Sequence, residues 1–156
     1  MLMNKKGFTL IELLATVVIL SVIVMITTPN VMNLVDNSKK TLFIDDAREI
    51  VSKATYLYNQ DEYKNNENFF EKQEDGSYKI YIKNIGNLKT KKDAYGNKYN
   101  LNSSYITFSE PLNENGLNER EVKIYVESCD NSEKCLYICN ENIHSLSTDS
   151  IKTSCN

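Results

Sequence analysis

The sequence predicts an α+β protein: one long N-terminal α-helix, transmembrane and then amphipathic, packed on a small antiparallel β-sheet head. Three observations carry that prediction. Residues Gly7 to Pro29 form a nearly unbroken apolar run, GFTLIELLATVVILSVIVMITTP. From Asn30 to Tyr58 apolar residues recur at spacings of three and four, the period of a helix with one buried face. Beyond Ser77, short segments alternate apolar and polar residues, the period of a half-buried strand.

From Phe8 to Thr28 the run has about the twenty residues that an α-helix needs to cross a hydrocarbon core of roughly 30 Å. It predicts a transmembrane helix over 8–29, preceded by a leader over 1–7. Lys5 and Lys6 lie on its N-terminal side, and cytoplasmic flanks carry the excess of Lys and Arg, so the C-terminal bulk is expected to face outward. A secretory signal peptide is cut after its apolar region at a small-residue site. Here the run ends in Thr27-Thr28-Pro29-Asn30, and the small residue, Gly7, precedes it.

Glu12 is the one carboxylate in this run. A charge near the centre of a membrane helix costs about 2.5–3.5 kcal/mol on insertion scales, less toward an end, so such a residue points to function by default. Two plainer readings stand beside that one. Thr9-x-x-Glu12 has the spacing of a capping box, and a glutamate this close to a helix end can also reach the interface. Pro29 costs about 3 kcal/mol inside a helix, because it donates no N–H and crowds the preceding turn. It either kinks one helix or starts a second, with Thr28 as N-cap.

Across 30–58 the apolar stripe is Val31, Leu34, Val35, Leu42, Ala47, Ile50, Val51, Ala54, Leu57 and Tyr58. Joined to the membrane segment it makes one bent rod from Phe8 to about Tyr58; the same stripe would also suit a separate surface helix. The remainder, 59–156, reads as the head. Asn59 to Ser77 is a polar connection in which Phe69 and Phe70 supply the apolar anchors. Strands are expected at Tyr78 to Lys83, Ser104 to Ser109, Glu121 to Glu127 and Lys134 to Cys139. Val122, Ile124 and Val126 share one face of the third, Ile106 with Phe108 and Leu136 with Ile138 repeat the pattern, and Gly86, Gly96, Pro111 and Gly116 punctuate the loops. Four strands with one apolar face need a cover, and the amphipathic helix is the available one.

Composition excludes more than it assigns. A net charge of −3 provides no strong field for nucleic acid, and Lys89, Lys91 and Lys92 beside Tyr95 and Tyr99 are only a short basic cluster. The single histidine, His144, sits in a polar tail with no nucleophile-and-acid set around it, so no enzyme is expected. Glu71, Glu74 and Asp75 read as a solvated loop face. Asn113 to Glu119 lacks the carboxylate ladder of a calcium loop, and no cofactor is expected. The absence of a phosphate-cradling glycine loop means that energy for any assembly must come from another protein. Cys129, Cys135, Cys139 and Cys155 make an even count in a segment placed outside the membrane, which reads as disulfides with three possible connectivities. Zinc is the alternative, although the paired C-x-x-C spacing of common sites is missing. The favoured pairing joins Cys129 to Cys135 across a hairpin and Cys139 to Cys155 to hold the tail, worth about 2 and 3 kcal/mol by loop entropy.

Lys5-Lys6-Gly7-Phe8-Thr9-Leu10-Ile11-Glu12 resembles the processing motif of class III signal peptides, those of type IV pilins and pseudopilins. The resemblance implies cleavage by a prepilin peptidase between Gly7 and Phe8, N-methylation of Phe8, and a role for Glu12 in subunit assembly, with Pro29 where the family places a helix-kinking proline. It implies homologous pilin subunits, an assembly platform and its ATPase as partners, and a head carried outside the membrane and then on a surface filament. Asp93-Ala94-Tyr95-Gly96-Asn97-Lys98-Tyr99 also resembles the D-P-W-G-N-P-Y loop of major pseudopilin-like proteins, departing from it at Ala94, Tyr95 and Lys98. The expected function is that of a structural subunit, major or minor, of a pilus-like filament. Two alternatives are a pseudopilin of a secretion or DNA-uptake system and a membrane-anchored binding module that never polymerises.

Overall fold

The computed structural model describes residues 7–60, 66, 68–85, 92–109, 121–129 and 135–155. The calls on Gly86, Pro111, Gly116, Lys89, Lys91 and the 113–119 loop lie outside them. A single helix, α1 (Leu10–Tyr58), passes through Pro29 without a break, so the chain does not begin a second helix at Thr28. Its first half is rich in β-branched residues, which in water favour strands. In hydrocarbon only a helix satisfies every backbone group within one segment. The hydroxyls of this stretch fold back the same way: Ser21 Oγ donates to the Val17 carbonyl at 2.7 Å and Thr28 Oγ1 to the Val24 carbonyl at 2.6 Å.

Two units divide the chain, Met1–Ser38 and Lys39–Asn156. In the first, every described side chain from Gly7 to Val35 is exposed. In the second, α1 buries Phe43, Ile44, Ala47, Ile50, Val51, Ala54 and Tyr58. The expected stripe therefore needs correction at its start. Val31, Leu34 and Val35 stay exposed, and Leu42 is 55% exposed where Phe43 is 1%. The reason is angular: the buried residues Phe43, Ile44, Ala47, Ile50, Val51, Ala54 and Tyr58 share one face about 120° wide, and Leu42 lies about 140° from the middle of it.

That face lies on a six-stranded antiparallel sheet whose strands follow one another in chain order: β1 (Glu71–Lys72), β2 (Tyr78–Tyr81), β3 (Tyr105–Phe108), β4 (Val122–Ser128), β5 (Leu136–Asn142) and β6 (Ile151–Lys152). The four expected strands are β2 to β5. The two edges, β1 and β6, are two residues each and too short to show an alternation. Between β1 and β2 the chain turns at Gly76, whose φ of 83° suits glycine. Asp75 Oδ1 accepts from the backbone N–H and hydroxyl of Ser77 there, which holds its carboxyl below the usual range.

β4 alternates as its sequence implies, with Val122, Ile124, Val126 and Ser128 inward. β5 does so only to Ile138. Its pairing with β4 then shifts register between Ile124 and Val126, and opposite that shift Asn140 takes a φ of 54°. Asparagine is among the few residues that enter this region readily, and one extra residue in a strand is a β-bulge. The core joins helix and sheet: Tyr58 stacks on Phe108 at 4.6 Å between ring centroids, and Phe70 meets Tyr58 edge-on at 5.5 Å. Cys129 and Cys135 are bonded across the β4–β5 connection, and Cys139 in β5 is bonded to Cys155 beyond β6. These bonds leave no thiolate for zinc among the described cysteines.

Candidate processing and assembly site

The first described residue, Gly7, is exposed, and a Cβ added to it would meet nothing within 4 Å. Among the described residues no contact calls for glycine there. Two residues on, the helix start is closed by Thr9 and Glu12. The Thr9 backbone N–H and hydroxyl each donate to Glu12 Oε2 at 2.9 Å, and the Glu12 N–H donates back to Thr9 Oγ1 at 3.3 Å. This is a reciprocal capping box. Around it stand Phe8, Leu10, Ile11, Leu13 and Leu14, all exposed. From Leu10 the helix is long and apolar enough to cross a membrane, and its apolar window buries no residue within the chain. Pro29 lies one residue after Thr28 inside α1, and its missing N–H cannot serve the Met25 carbonyl one turn back.

Residues 2–28 match a family described as the prokaryotic N-terminal methylation motif. The chain carries a class III signal peptide of the type IV pilin kind. No curated protein and no solved structure matches it. The matched methylation motif spans Gly7, Phe8 and Glu12 and ends one residue before Pro29, so the chain is type IV pilin-like at its N-terminus while the head falls outside the match.

Within the head, the Asp93 to Tyr99 loop is densely hydrogen-bonded. Asp93 is buried, and its carboxylate takes four donors: the backbone N–H groups of Tyr95 and Asn97 on Oδ1, and Asn97 Nδ2 and Ser128 Oγ on Oδ2. Gly96 closes the turn with a φ of 92°, its N–H donating to the Asp93 carbonyl at 3.0 Å. Tyr99 stacks on Phe43 of α1 and donates its hydroxyl to Asp46 Oδ2 at 2.7 Å. Burial, and then the Asp46 carboxylate, push the Tyr99 phenol well above its ordinary value. The loop resemblance singled out these residues without a role for any of them. A buried Asp two residues before a tyrosine gives no sign in sequence that its partner is Ser128, 35 positions away.

Among the described residues, the remaining candidates are brought into no common site. His144 lies exposed in a short helical turn over Ile143–Ser145, its backbone N–H on Asn142 Oδ1. Glu71 belongs to the edge strand β1, while Asp75 serves the following turn. Lys92 opens the Asp93 loop through a bridge with Lys98.

Proposed function

We propose that this protein is a structural subunit of a type IV pilus-like filament. A prepilin peptidase cuts it between Gly7 and Phe8, Phe8 is methylated, and α1 polymerises with those of neighbouring subunits while the head faces outward. The observation that carries this reading is Glu12: a carboxylate near the start of an exposed membrane-length apolar helix, inside the matched methylation motif. A bare anchor would gain from this carboxylate only the cap at its helix start, whereas a helix bundle also gives it a partner in the Phe8 ammonium of a neighbour. Assembly would draw its energy from a separate ATPase acting through a membrane platform, with homologous pilins as the other subunits.

A pseudopilin of a secretion or DNA-uptake system is the second reading, supported by the pseudopilin-like loop around Asp93 and Asn97. Mass spectrometry of the mature protein tests the processing that both readings share. An N-terminus at methylated Phe8 is expected, and Gly7→Val should accumulate uncut precursor in the membrane. Normal maturation of that variant would rule out both in favour of a simple anchor.

A further inference from the structure

Glu12 Oε2 is fully engaged by its own chain, accepting from both the backbone N–H and the hydroxyl of Thr9. Among the described residues Oε1 accepts nothing. The two oxygens of one carboxylate are thus inequivalent: one is tied to the helix start and the other is left over. We infer that Thr9 is a positioning residue for assembly, holding Glu12 by Oε2 so that Oε1 is presented to a second copy of this chain.

The chemistry follows from the medium. In hydrocarbon a carboxylate without donors is costly, so the two Thr9 donors keep Glu12 hydrogen-bonded before any neighbour arrives. They also remove most of the rotamer freedom that a long acidic side chain would otherwise lose on pairing. An amine arriving at Oε1 then meets an acceptor already held in place, and the Oε2 bonds need not be broken for the pair to form. The hydroxyl is the part of Thr9 that substitution can remove, because its backbone N–H remains whatever the side chain.

This inference rests on the reading of Glu12 as the assembly carboxylate, and one set of full-length variants in the native host separates the two. Thr9→Ser keeps donor and acceptor. Thr9→Val keeps the β-branched shape and loses both. Thr9→Asp caps a helix start as well as threonine does but, when ionised, has no proton to donate to Glu12. Sheared surface filaments are quantified relative to cleaved subunit in the membrane, so that a processing defect does not enter the ratio. Thr9→Ser should match wild type, whereas Thr9→Val and Thr9→Asp should each fall by about fivefold or more, as expected for loss of a hydrogen bond to a charged group. Wild-type filament from Thr9→Asp or Thr9→Val, with Glu12→Ala defective in parallel, would overturn the positioning role and leave the proposed function standing. Wild-type filament from Glu12→Ala would remove the function reading itself.

Discussion

The Tyr99 hydroxyl donates to Asp46 Oδ2 at 2.7 Å, joining residues 53 positions apart and fastening the Asp93 loop to the buried face of α1. Beside it the Tyr99 ring stacks on Phe43, and the ammonium of Lys39 lies 4.9 Å from the ring centre of Tyr95. The loop is therefore an attachment between helix and sheet as well as a connection between strands.

This attachment predicts an alkaline limit to stability. The Tyr99 phenol is raised in the folded protein by burial and by Asp46, so the folded state keeps its proton where the unfolded chain has lost it, above the ordinary value near 10. Stability from this pair is present below about pH 10 and falls as pH rises beyond it. Tyr99→Phe in a fragment beginning at Asn30 should lose about 1–2 kcal/mol at neutral pH and flatten the alkaline decline. Equal slopes for the two proteins between pH 9 and 11, in urea unfolding, would discount the assignment.

A larger cost is expected at Asp93. Asp93→Ala strands the backbone N–H groups of Tyr95 and Asn97, buried or half-buried, at about 1–3 kcal/mol apiece before relaxation, and leaves the Ser128 hydroxyl only the Lys98 carbonyl at 3.5 Å. Denaturant titration should show a loss of about 3 kcal/mol or more; a change under 1 kcal/mol would mean that the carboxylate is dispensable to the loop.

The two disulfides should contribute unequally. Cys139–Cys155 closes 16 residues and Cys129–Cys135 only 6, for which chain entropy predicts about 3 and 2 kcal/mol. Replacing Cys139 and Cys155 together with serine should lower the melting temperature more than replacing the other pair, and should free β6, which pairs with β5 at only two positions. Thiol labelling of the unreduced protein checks the premise: four reactive cysteines would remove it.

Glu12→Ala should insert in the membrane at least as well as wild type, because it deletes an unfavourable charge. It should still be cut after Gly7 and yet enter filaments poorly, by about tenfold or more if a charge pair in low dielectric is lost. A capping role alone would cost about 1 kcal/mol at the helix start and leave filament yield unchanged. Sheared filament against membrane-held subunit is the deciding ratio.

By itself the sequence determined what depends on neighbours along the chain. Length and apolar composition marked the Gly7 to Pro29 segment, since crossing a bilayer constrains one helix at a time. The capping box was legible for the same reason, as Thr9 and Glu12 are three positions apart. Alternation exposed β2 to β5, where each strand shows its own period. Tertiary structure alone decided which residue of the Leu42-Phe43 pair enters the core, because both are apolar and only the sheet selects a face. It also decided β1 and β6, which are strands only because β2 and β5 offer them edges, and the bulge at Asn140, which answers to the register of β4. The partners of Asp93 and Asp46 belong to the same class: Ser128 and Tyr99 reach them from distant segments, and a buried polar group is satisfied by whatever the fold brings near it.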